Sequence, residues 1–122
     1  MFVGVARITL SIPGARSLKD RRRVVKSLKD RLSARLSVSV AEVGNVELHQ
    51  LSTLGIAVLS SDSKRCSAVL GKAVAMARVQ RDALLTDVAT EVVSFGHGGK
   101  NLRGGVENLL DDDGFDDELE DE

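Results

Sequence analysis

The 122-residue sequence has no Trp and no Tyr, and only three Phe: Phe2, Phe95 and Phe115. Recognition that stacks bases or substrates on aromatic rings therefore has little to work with. A single Cys, Cys66, excludes an intrachain disulfide and a CxxC metal pair. No apolar run approaches the roughly 20 residues that span a membrane. The opening MFVGVARITL lacks the charged and long apolar regions of a secretory signal, so a cytoplasmic protein without a membrane anchor is expected. Two histidines, His49 and His97, fall in separate loops with no Cys or carboxylate cluster beside them. That is a poor metal set, and neither a metal nor a cofactor is expected.

What is present is enough apolar material for a core, at 43% hydrophobic and 29% charged. The net charge of −1 conceals a segregation of sign. All 17 Lys and Arg lie in residues 1–105 with 8 Asp and Glu, a net of +9; residues 106–122 carry 10 acids and no cation, a net of −10. Such a tail repels itself and has too few apolar residues to pack alone. We divide the chain into a folded domain over 1–95, a Gly-rich basic linker over 96–105 and a disordered acidic tail over 106–122.

Periodicity supplies the elements. Phe2, Ala6, Ile8, Leu10 and Ile12 alternate with Arg7, Thr9 and Ser11, which predicts a strand ended by Pro13-Gly14. Ser17 and Asp20 have capping-box spacing. Leu18, Val25, Leu28, Leu32 and Leu36, joined by Val24, then fill one arc of a helix over about 18–35. Two strands follow, around Val38, Val40 and Val43 and around Leu54, Ile56 and Val58, with about nine residues between them. Ser61-Asp62 caps a second helix whose stripe is Cys66, Val69, Leu70, Ala73, Val74 and Ala77. Gly71 inside that helix costs roughly 1 kcal/mol relative to Ala. A last strand covers about 87–95. The order β-α-β-β-α-β, with right-handed crossovers, predicts an α+β ferredoxin-like sandwich: a four-stranded antiparallel sheet with both helices on one face.

The run from Ser17-Leu18-Lys19-Asp20-Arg21-Arg22-Arg23 through Leu28, then Val38–Val43, Leu54–Val58 and Ser61-Asp62, resembles the YlxP-like family, a bacterial domain family of unknown function. The resemblance covers about 1–95. It implies a ferredoxin-like fold and a genetic association with translation initiation and ribosome maturation factors, without an assigned activity. The family tends to carry an aromatic-Gln pair before the third strand, where this chain has His49-Gln50. The acidic tail also lies outside the family's usual pattern.

The candidate site is the polar side of the first helix. Lys19, Arg22, Arg23, Lys26 and Lys29 occupy about 120° of its circumference, with Asp20 and Asp30 as the helix's acids. Like charges at i,i+4 repel by a few tenths of a kcal/mol, so a face of one sign opposes helix stability. One reading is a surface that tracks phosphates of ribosomal or other structured RNA, with weak sequence specificity. The other is a solvated face that happens to be basic, neutralised by the acidic tail. Residues alone leave both open. Arg21 falls inside the apolar arc, and we expect its stem to lie on the sheet edge with its guanidinium in water; a buried ion pair is the alternative.

No residues suggest an enzyme. Cys66 sits on the second helix's apolar stripe as a small hydrophobe, with no base beside it. The Gly-rich segment lacks the GxxxxGK[ST] pattern of a phosphate loop. The expected function is a non-catalytic RNA- or ribosome-associated protein; the acidic tail reads either as a solubilising, disordered extension or as a tethered competitor for the basic helix. The alternative is a protein–protein module, a homodimer formed through the open sheet face around Val3, Val5 and Val93 or through a sheet edge.

Overall fold

The alternating and helical patterns resolve into six elements. They are β1 (Phe2–Ser11), α1 (Leu18–Arg35), β2 (Ser39–Gly44), β3 (Leu51–Ser60), α2 (Ser63–Arg78) and β4 (Leu84–Ser94). The structure is a computed structural model and describes residues 1–45, 48 and 50–96. The four strands form one sheet in the order β2-β3-β1-β4, with every neighbouring pair antiparallel. Both helices cover one face, as the sequence predicts. Most of the linker, the acidic tail, His49 and His97 lie outside the described residues.

Side chains alternate across the sheet with period two. Ala6, Ile8, Leu10 and Ile12 from the first strand segment, with Leu54, Ile56 and Val58 from β3, are buried under the helices. Val25, Leu28 and Leu32 of α1 and Cys66, Leu70, Ala73 and Ala77 of α2 close the core from above. Gly4 lies under α2, where Cys66 and Leu70 approach its backbone. A Cβ there would stand 2.9 Å from Val58 Cγ1 and 3.1 Å from both Cys66 Cβ and Leu70 Cδ1.

Two boundaries differ from the sequence pattern. β4 begins at Leu84, ahead of the expected start near 87, and reaches Ser11 through a register shift at Thr9/Leu10. The bulge breaks the alternation that marks a strand, so Leu84 and Leu85 did not read as its start. β3 begins at Leu51, ahead of Leu54. This shortens the β2–β3 connection to residues 45–50. That turn starts at Asn45, which holds a left-handed φ of 60° that Asn tolerates better than most residues. A second register shift falls at Glu42/Gly44.

Candidate nucleic-acid interface

The first turn of α1 sets where its cations project. Ser17 is the N-cap, and its Oγ accepts the Asp20 amide at 3.2 Å. Asp20 Oδ2 accepts the Arg16 amide at 2.9 Å, so the reciprocal half of the box closes one residue early. From this start, Lys19, Arg22, Arg23 and Lys26 are exposed and Lys29 is half-buried. Lys26 Nζ meets Asp30 Oδ2 at 2.7 Å. Both partners are well exposed, so the pair contributes only a few tenths of a kcal/mol.

The five cations do not share one surface. Arg22, Lys26 and Lys29 line a cleft between α1 and β2, of about 360 Å³, together with Arg21, Val25, Asp30 and Glu42. Arg23 lines a different cleft, near the start of β4, together with Arg16, Asp20 and Asp82. Lys19 is exposed and lines neither. The reason is geometric: an arc of 120° on a helix of about 10 Å diameter turns its two margins toward different neighbours.

Arg21 corrects the expectation of a solvated head. It is 2% exposed. Its Nε donates to Leu51 O at 2.8 Å and its Nη2 to Asn45 O at 3.1 Å. The guanidinium also forms an ion pair with Glu42, whose Oε2 accepts Ser52 Oγ at 2.9 Å. Two features of the fold produce this burial. The sheet covers the arc of α1 that carries Arg21, and the ends of the β2–β3 connection close over its head with two carbonyls. Burial, and then the charge of Arg22, hold the Arg21 pKa below its ordinary value; an arginine nonetheless stays charged. Glu42 itself escaped the sequence reading. The signal was present, because Glu42 has the same strand parity as Val38 and Val40 and so faces the helix layer.

The remaining candidates fall into place simply. Cys66 is buried, with its Sγ 3.7 Å from Phe2 O. Among the described residues, no three His, Cys, Asp or Glu cluster as metal ligands would, and no helix is long and apolar enough to cross a membrane. The open sheet face bears a split surface. Val3 pairs directly with Leu59 and Val93, and Val5 lies two residues along. Leu59 is 65% exposed, and Val5 and Val93 are each 40% exposed. Farther along β1, the face turns polar with Arg7 and Asp87, 3.5 Å apart.

Residues 3–90 match the model of a family described as protein of unknown function (DUF503). The chain belongs to the DUF503 family. The chain is also similar to the uncharacterized protein YlxP of Bacillus subtilis (strain 168), at 35% identity over 60 residues. That match covers 49% of this chain and 65% of the Bacillus protein, so the similarity spans just under two thirds of the relative. The resemblance drawn from the Ser17–Leu28 run and the segments after it is thus borne out. The solution structure of a de novo designed protein with a ferredoxin fold, LFR1 1, superposes with a TM-score of 0.50 at 11% identity. The superposition covers 80% of this chain and 91% of the designed one, and at that identity it speaks to the DUF503 fold alone.

Proposed function

We propose that this DUF503 protein is a non-catalytic RNA-binding protein that grips the phosphates of structured RNA, ribosomal RNA included, through the basic face of α1. The observation that carries this reading is that Lys19, Arg22, Arg23 and Lys26 all project into solvent from one helix. Against these cations α1 carries two acids, Asp20, which accepts the Arg16 amide, and Asp30, which pairs with Lys26 in solvent. An RNA-recognition mode based on stacking does not suit the molecule. Among the described residues, no aromatic side chain stands on the open sheet face within the four strands, and Phe2 packs against the core. Phosphate contact without base readout is the mode that remains, and it predicts weak sequence preference and steep salt dependence.

The test is a salt titration of binding to a ribosomal RNA fragment, with and without Arg22→Glu and Lys26→Glu together. We expect log affinity to fall linearly with log salt, and the double reversal to lower affinity at least tenfold while the melting temperature holds. Undiminished binding by a folded double variant would overturn the reading.

The exposed cluster of Leu59, Val5 and Val93 favours a second reading, a homodimer in which the apolar half of the open face covers its counterpart on a second copy. Sedimentation at micromolar concentrations decides it: a dimer that dissociates on Leu59→Glu supports the reading, and a monomeric unmodified protein excludes it.

A further inference from the structure

The five cations of α1 are not equivalent in their surroundings, and the difference is chemical. Resting on the RNA-binding reading above, we infer that the cleft between α1 and β2 is the phosphate seat of this protein, taking one or two phosphodiester groups of an RNA backbone on Arg22, Lys26 and Lys29, while Lys19 and Arg23 add only general attraction.

Three observations carry this. First, Arg22, Lys26 and Lys29 recur at i, i+4 and i+7, which places them along one wall of the cleft. The recess has about 360 Å³ and lies at the small end of ligand sites, a size suited to a phosphate and its sugar rather than to a base pair. Second, the acid at the cleft is already spent. Glu42 is paired with Arg21 and accepts the Ser52 hydroxyl, so it offers little repulsion to an incoming anion. Asp30 is drawn onto Lys26. Counting both pairs, the cleft keeps the charges of Arg22 and Lys29 in excess. Third, the guanidiniums of Arg21 and Arg22 stand together at this cleft. Burial holds the Arg21 pKa down first, and the like charge of Arg22 adds to it. A seated anion would relieve that repulsion.

Arg23 stands in the opposite situation. In its cleft Arg16 and Arg23 are matched by Asp20 and Asp82, so no positive charge is left in excess for an anion. Arg21 is a positioning residue in this scheme. It holds the ends of the β2–β3 connection and Glu42 through hydrogen bonds and so shapes the cleft floor without being free to donate to a ligand.

The experiment compares two neutral double variants of the full chain, Arg22→Gln with Lys29→Gln and Lys19→Gln with Arg23→Gln. Both remove two positive charges, so a simple charge effect would weaken binding equally. The probe is a fluorescent RNA hairpin, titrated at several salt concentrations, with melting temperatures recorded for both variants. We expect the cleft pair to lose about tenfold or more in affinity and to lower the salt slope by about two contacts, and the other pair to lose less than about threefold. Equal losses would overturn the cleft assignment and leave the RNA reading standing. Absence of hairpin binding by the unmodified protein, and by the protein lacking residues 106–122, would overturn both. A poly-aspartate of matched charge provides the remaining control: if it binds as tightly as the hairpin and loses as much with the cleft pair, the cleft selects carboxylates and the phosphate assignment fails.

Discussion

Two residues show how far a single side chain decides this structure. Glu42 is the countercharge of Arg21, and the two are unequal in their access to water: the side chains are 22% and 3% exposed. Removing the acid strands a cation that cannot rehydrate, which typically costs about 3–5 kcal/mol for a fully buried pair. The two carbonyls that Arg21 also engages moderate that figure. We expect Glu42→Ala to destabilise by about 2–3 kcal/mol in urea unfolding, and Arg21→Met with Glu42→Leu to recover part of the loss because apolar partners avoid the desolvation cost. A Glu42→Ala midpoint equal to that of the unmodified protein would show that the pair contributes nothing. Gly4 makes the opposite case, in which a side chain is excluded. With Val58 Cγ1 at 2.9 Å from an added Cβ, and Cys66 and Leu70 pressing from α2, Gly4→Ala should cost about 1–3 kcal/mol. Thermal unfolding checks it.

At the scale of the element, much was legible because period and turn chemistry agree. The Ser17 cap, the stripe Val25, Leu28 and Leu32, and the stop near Arg35 are all legible in the sequence, and α1 follows them. The Cys66–Ala77 stripe behaved likewise. The start of β4 was not legible, since the bulge at Thr9/Leu10 spoils the alternation on which strand reading rests. Arg21 was misread for a related reason. Periodicity located it correctly inside the buried arc, but the fate of its charge depended on Glu42, from another element, and on the two carbonyls that the β2–β3 connection brings over it. The basic face was legible as composition and not as geometry: the sequence shows five cations on one arc, whereas the division between two clefts depends on what stands at either side of the helix. Gly71 offers the cleanest test at this scale. It lies inside α2, exposed, and a Cβ there would meet nothing within 4 Å. The only terms that change are backbone entropy and helix propensity, so Gly71→Ala should stabilise by about 0.5–1 kcal/mol. A melting temperature unchanged or lowered would mean that the helix draws no stability from propensity at that turn.

For the whole molecule, the decisive quantity is the distribution of charge along the chain. Residues 1–105 carry a net of +9 and residues 106–122 a net of −10, in one covalent unit. The last described strand, β4, ends at Ser94. In the chain, residues 95–105 separate β4 from the acidic segment. Tethering turns an encounter between the acidic segment and the α1 cations into an intramolecular one, and covalent tethers of short length give effective concentrations up to about the millimolar range. The proposed competition therefore predicts a direction that simple solubilisation does not. Removing residues 106–122 should raise the affinity of the remaining chain for an RNA hairpin several-fold at low salt, and the gain should shrink toward none as salt screens both the internal and the external contact. A synthetic peptide of residues 106–122, added back to the truncated protein, should lower hairpin affinity only at concentrations approaching that effective value. If truncation leaves hairpin affinity unchanged at every salt concentration, the acidic segment does not compete for the basic helix, and its charge acts only on solubility.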